Sequence, residues 1–330
     1  MEATHSSTPD PSRNRGLRSR ATRVPREEEL GILREALDGP FDLSVDRIPE
    51  PQYYHMQTRF IHLGFDGKRT GVETYLLRLR CIPAAVSGKK LDEYTCREFG
   101  VQLGDESVAT LPAIRSFTYQ FDYMSGVGGK GPMFGIPQDP FQGLKDSRGN
   151  QLAPDICYAA YNNFVDFHAL SDVFSRPLRY IKGIEQLKSV GDRIVYPGAF
   201  TEAPVSLSGV VRAGSTFRNG ELTLELKGLS LVDGRPCALV NYDSGESTLR
   251  MAFIQPTGED VAMEGGSEYR GDLYIDLESG WVRKVTLHES VVTQSSTASR
   301  PSKIPGYTVR HILLRVMSQQ DFEKPISILP

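Results

Sequence analysis

Three groups of residues in this 330-residue chain have the types and spacing that acid–base or metal chemistry uses. Asp243-Ser244-Gly245 follows Ala238-Leu239-Val240. An aspartate so placed can pair with a second one, share a proton with it and activate water. A turn between two strands explains the tripeptide without chemistry. Asp166, His168 and Asp172 form the second group, and the four-residue step from His168 to Asp172 puts both on one helical face. That spacing suits a metal pair or an acid–base pair, but no third ligand is nominated. The plainer expectation is a partly buried histidine paired with a helix carboxylate. His288 and Glu289 are neighbours on a strand and so point to opposite faces. Gly126-Val127-Gly128-Gly129-Lys130 is followed by Gly131-Pro132 rather than by Ser or Thr and a helix, which makes it a loop and not a phosphate cradle. The sequence therefore nominates no catalytic residue, no metal site and no cofactor. A hydrolase using Asp243 or the Asp166/His168 region is the alternative reading.

Aromatic and sulfur-bearing residues suggest binding instead. Met251, Phe253, Tyr269 and Trp281 fall on one inward face if the C-terminal strands pair in order, and a curved sheet lined in that way forms an apolar cleft. These four are the expected ligand-binding residues, with simple core filling as the competing account.

The elements that position them follow from period and punctuation. Leu222, Leu224 and Leu226 alternate with Glu221, Thr223, Glu225 and Lys227, the pattern of a half-buried strand. Asn219-Gly220 before it and Asp233-Gly234 after it read as hairpin turns. Further strands are expected at 236–242, 247–254, 269–276, 281–292 and 307–317, with a Ser/Thr loop over 293–301. The last strand is apolar on both faces, so it should be central or covered. Upstream, 53–63 and 72–81 flank Asp66-Gly67, and 94–103 and 117–123 supply two more strands. Residues 155–174 are the best helix, with Cys157, Tyr161, Phe164 and His168 at three- and four-residue steps and Pro177 beyond. Residues 180–190 read as a second helix. The fold class is α+β and β-rich, with antiparallel curved sheets packed with a few central helices. Four segments are expected: a disordered Arg- and Ser-rich leader (1–26), a helix and β meander (27–135), a helical and loop connection (136–205) and a C-terminal meander (206–330).

A net charge of −3 provides no global basic field for nucleic acid, and no apolar run reaches the roughly 18 residues of a membrane span. The four cysteines include no zinc spacing. Cys81 and Cys96 are either buried thiols or a cross-strand disulfide. With no apolar stretch after Met1, the chain is expected in the cytoplasm if complete, and in the periplasm or outside the cell if a signal peptide was removed.

Tyr269-Arg-Gly271-Asp-Leu-Tyr274-Ile-Asp-Leu-Glu-Ser-Gly280-Trp281, with the hairpins of 209–242 before it, resembles a strand–turn–strand unit of the periplasmic lipoprotein-carrier and related lipoprotein families. The resemblance covers residues 209–292. It implies a curved antiparallel half-barrel closed by helices, with acyl chains held on the concave face. The expected function is a binding or carrier protein for an apolar or lipid-like molecule, with a filled-core interaction protein as the other non-enzymatic alternative.

Overall fold

The computed structural model describes residues 27–28, 31, 33–34 and 41–329, except 45, 65, 127–131, 178–182, 197–199, 206 and 256. The leader expected over 1–26 lies outside the described residues, as do Leu30 and Leu37 of the following helix, whose positions 27, 28, 31, 33 and 34 are helical.

Among the described residues fourteen strands form one antiparallel sheet. They are β1 (Gln52–Leu63), β2 (Arg69–Ile82), β3 (Glu93–Leu103), β4 (Ala109–Thr110), β5 (Thr118–Gln120), β6 (Arg193–Val195), β7 (Glu202–Pro204), β8 (Thr216–Arg218), β9 (Thr223–Val232), β10 (Arg235–Asp243), β11 (Ser247–Phe253), β12 (Val261–Asp276), β13 (Val282–Ser296) and β14 (Ile304–Val316). The main order is β4-β3-β2-β1-β14-β13-β12-β10-β9-β6, which does not close on itself. β14 lies between β1 and β13 and is central in the sheet, although its outer face, with exposed Tyr307 and His311, is not covered. Through it the N- and C-terminal meanders join edge to edge.

One long helix, α1 (Pro154–His168), lies in the trough of this sheet and continues as a π-helical turn over Ala169–Val173. Proline opens it at the position where a missing N–H costs least. Its neighbours show that the sheet curls. Phe167 packs on Tyr54 of β1, Phe164 on Phe99 of β3 and Tyr119 of β5, and Tyr158 on Phe253 of β11. Phe174, just past the π turn, meets Tyr242 of β10. A flat sheet would hold β3 and β10 six strand spacings apart, roughly 29 Å, yet the residues that meet them, Phe164 and Phe174, are separated by only about 15 Å of helical rise. Phe141, in the loop before the helix, packs edge-on against Tyr161 at 5.3 Å and Phe164 at 5.1 Å.

The C-terminal half bends at a crease. β8 pairs with β11 and β9 with β10, while β10 and β11 both pair with β12. Two long strands are therefore each broken once, at 219–222 and at 244–246, and the breaks lie side by side. This corrects the hairpin expected at Asn219-Gly220, because β8 and β9 do not pair with each other. Gly220 is required by close approach: a Cβ there would lie 2.3 Å from the Glu246 carbonyl oxygen and 2.5 Å from that of Ser244. Gly265 continues the crease into β12, where a Cβ would meet the Val292 carbonyl oxygen at 2.1 Å. Asp233-Gly234 is the expected tight turn, with φ of 52° and 78°.

Two further expectations change. Residues 293–296 are not loop but the end of β13, held by pairing to β12 and β14, since a ladder on both sides overrides local polarity. Within 180–190, residues 180–182 lie outside the described residues, and the remainder makes only a 3₁₀ turn at Ile184–Gln186 before extending into the sheet margin.

Replacing Gly265 with Val should destabilise the fold by about 3 kcal/mol or more, since backbone atoms must move to admit the side chain. Gly71→Ala, whose nearest non-neighbouring atom would be at 3.5 Å, should stay within about 0.5 kcal/mol by urea denaturation.

Candidate functional site

The trough contains two buried polar clusters in otherwise apolar surroundings. The first gathers where α1 passes into its π turn, a distortion common where side chains must converge. Asp172 is fully buried and receives Arg47 Nη1 at 2.7 Å, His168 Nδ1 at 2.8 Å, Ser171 Oγ at 2.9 Å and the Tyr94 hydroxyl at 3.1 Å. His168 Nε2 meets the Tyr119 hydroxyl at 2.6 Å. Arg47 also donates to the Ser171 carbonyl and to Ser175 Oγ, and its guanidinium lies 4.3 Å from the centre of the Trp281 ring. Burial alone would push the Asp172 carboxyl up, but Arg47, His168 and Arg176 outweigh it and hold the group below the usual carboxylate range. Burial pushes His168 down, so its imidazole is neutral, donating from Nδ1 to Asp172 and accepting at Nε2 from Tyr119, whose phenol burial keeps protonated.

An Asp–His–hydroxyl relay is the geometry of an activated nucleophile. Here it is sealed. Phe121 stacks on the imidazole at 4.6 Å, the Tyr94 ring meets it edge-on at 4.6 Å, and neither His168 nor Asp172 has any exposed surface. The arrangement matches the expectation of a buried histidine paired with a helix carboxylate.

The second cluster is centred on Arg310, which faces inward from β14. It donates to Asp166 of α1 and to Glu289 of β13, each at 2.5 Å. Asn162 adds a bond to Asp166 at 3.1 Å. Burial, with the like charge of Glu289 beside it, raises Asp166 to about 6 despite Arg310. Nearby, Thr58 of β1 donates to Asn163 of α1 at 2.6 Å. The helix is thus tied to the sheet by polar contacts over its C-terminal half.

Asp166 and His168 therefore belong to different clusters. Asp243 sits at the crease, where its carboxylate accepts the Gly245 N–H at 2.8 Å, the contact of a plain turn. The four expected ligand-binding residues are all nearly buried. Three sit toward the crease: Met251 opposite Met263, Phe253 edge-on to Tyr158 at 5.7 Å, and Tyr269 with its hydroxyl 2.8 Å from Asn219 Oδ1. Trp281 sits beyond the other end of β12, bonded through Nε1 to the Ile48 carbonyl at 2.8 Å. An open cleft of about 310 Å³ is bordered by Arg250, Ala252, Ala262, Glu264, Gln294 and Ser296, which the register places on the face opposite Met251. Met251 and Met263 also reach its edge.

Sequence patterns gave no sign of Arg47, Tyr94 or Tyr119 in this role. Arg310 and Glu289 did leave one. Glu289 falls in step with Val285, Leu287 and Val291 on the inward face, and Arg310 stands directly opposite it. The four cysteines are free buried thiols: Cys81 pairs with Tyr94 and Cys96 with Leu79, which sets the two sulfurs on a diagonal. Among the described residues no group of three or more His, Cys, Asp or Glu is arranged to hold a metal ion, and no helix is long and apolar enough to cross a membrane.

No family model matches the chain, and no curated protein does. The solved structures it is similar to include an anion-selective porin from Comamonas acidovorans, at 8% identity over 81% of this chain and 99% of that one with a TM-score of 0.13. Another is the in-vitro folded OmpT, an outer membrane protein of Vibrio cholerae in its trimer form, at 6% identity, the same coverage and a TM-score of 0.12. Likenesses this slight carry no argument about fold or function.

Acid should act on the two clusters with opposite signs. His168 and Asp172 hold protons less tightly when folded, so they destabilise the fold as pH drops below about 6.5 and then below about 4. Asp166 has a raised folded pKa, so between about 4 and 6 the folded chain takes up a proton that the unfolded chain does not, which stabilises it as pH falls. Asp166→Asn removes that compensation. Its stability should fall more steeply than wild type from pH 6 to 4, by up to about 2–3 kcal/mol in urea titrations across that window.

Proposed function

We propose that the chain is a binding or carrier protein for an apolar, lipid-like small molecule, taken into the trough of the half-barrel when α1 moves aside. The supporting observation is the manner in which the helix is held. A helix that only fills a core does not need buried charges for its stability, since a well-packed apolar replacement of a buried ion pair is often neutral or stabilising. Here α1 and its π turn carry Asp166, Asn163, His168 and Asp172 into contact with Arg310, Thr58, Tyr119 and Arg47. Ties of this type rehydrate when the helix leaves, and the exposed trough wall then offers Tyr54, Met56, Tyr75, Leu77, Phe99 and Val285 to an apolar guest. Phe253 and Tyr269 stand toward the crease as candidate contacts, Met251 at its open edge and Trp281 at the far end.

The filled-core reading has its own support: the trough is tightly packed, and the open cleft lies on the sheet's other face. Titration with 11-dansylaminoundecanoic acid separates the two. The carrier reading expects saturable one-to-one binding, tightened several-fold in Asp172→Asn because a weaker tie raises the population with the trough open. Absence of saturable fluorescence in wild type and variant alike would leave the filled core standing.

A further inference from the structure

The outer face of the sheet carries a feature that the trough does not use. His288 on β13 and His311 on β14 are directly opposite each other in the register, both exposed, with His288 Nδ1 3.2 Å from His311 Nε2 and ring centres 4.8 Å apart. We propose that this pair is a two-nitrogen chelate for a divalent transition metal, Cu²⁺ or Zn²⁺ by chemistry.

The separation is the first argument. Imidazole nitrogens bind zinc at about 2.0–2.1 Å, so two of them on one metal stand about 2.9 Å apart at a right angle and about 3.4 Å apart at the tetrahedral angle. The observed spacing falls between these limits, and both rings are exposed, so each can turn about χ2 to aim its lone pair at a shared metal. The second argument is rigidity. β13 and β14 are interior strands, each paired on both sides, so the two Cα positions are fixed before any metal arrives. Neutral imidazole also suits copper and zinc over magnesium or calcium.

The surroundings carry charges of both signs. Arg270 of β12 and Arg59 of β1 extend the same row at either end, and they oppose a cation. Glu268 and Asp272 flank Arg270 on that face of β12, and Asp243 lies beyond it, so carboxylates offset Arg270, while Arg59 beside His311 works against the site. With no third His, Cys, Asp or Glu grouped beside the pair among the described residues, water completes the coordination shell. The other described histidines are placed differently. His55 and His168 are buried, and His62 is engaged with Glu73 and Thr308.

The test uses tag-free full-length protein, titrated with Cu²⁺ under electron paramagnetic resonance and with Zn²⁺ by calorimetry. Wild type should bind one equivalent with two nitrogen donors visible in the copper spectrum. His288→Ala and His311→Ala should each lose the two-nitrogen pattern and weaken binding at least about tenfold, because the second imidazole acts at high effective concentration. His62→Ala should leave the copper spectrum unchanged. Both strand residues are exposed, so the variants should keep the wild-type circular dichroism and melting profile. The proposal is overturned if wild type shows no stoichiometric binding, or if the two-nitrogen spectrum survives in the double variant.

Discussion

A single buried carboxylate sets the geometry of the interior. Asp172 draws Arg47 from the segment before β1, Tyr94 from β3 and His168 from the preceding turn of α1, and through His168 it reaches Tyr119 on β5. Neither Asp172 nor Arg47 tolerates the interior alone, since an unpaired buried charge costs several kcal/mol, and the buried polar atoms of His168, Tyr94 and Tyr119 also need partners. Satisfying the aspartate therefore requires the chain before the sheet, the first meander and the end of the helix to converge on one point. Arg47 then covers Trp281, whose indole N–H is bonded to the Ile48 carbonyl, so the same interaction reaches the turn between β12 and β13.

The second constraint is the sheet's need to curl around a helix while keeping its ladders. In the first meander the ladders shift register at His62/Leu63 and at Arg78/Leu79, irregularities that bend a strand. In the second, two strands break side by side and glycines sit where a neighbouring carbonyl leaves no room for a side chain. The crease turns the Met251 and Phe253 end of the sheet across the helix, which brings Phe253 onto Tyr158. Helix and crease are thus one design: the trough exists because the sheet bends, and it is filled because α1 lies within it.

Period-two and helical patterns were enough to read most elements. Leu222, Leu224 and Leu226 are buried on one face, the apolar 307–317 segment is a central strand, and the steps from Cys157 to His168 mark α1. These signals are local, and burial enforces them. What could not be read depends on distant partners. Asn219-Gly220 has the composition of a turn, but its conformation is dictated by Ser244 and Glu246, some twenty-five residues on. Arg47 sits in a stretch with no period, and only the folded chain puts it beside Asp172. Glu289 and Arg310 were legible in principle, as opposite charges on apolar faces of neighbouring strands, though only once the register was known.

The central claim is that α1 is a movable closure rather than a fixed core element. Spin labels at Asp155→Cys, at the start of α1, and Arg59→Cys, on the outer face of β1, measure that directly, since the native thiols are buried and pushed up in pKa. Pulsed dipolar spectroscopy with saturating 11-dansylaminoundecanoic acid should show a second, longer distance population that is absent without it. A distance distribution unchanged while the dansyl probe is demonstrably bound would contradict the account.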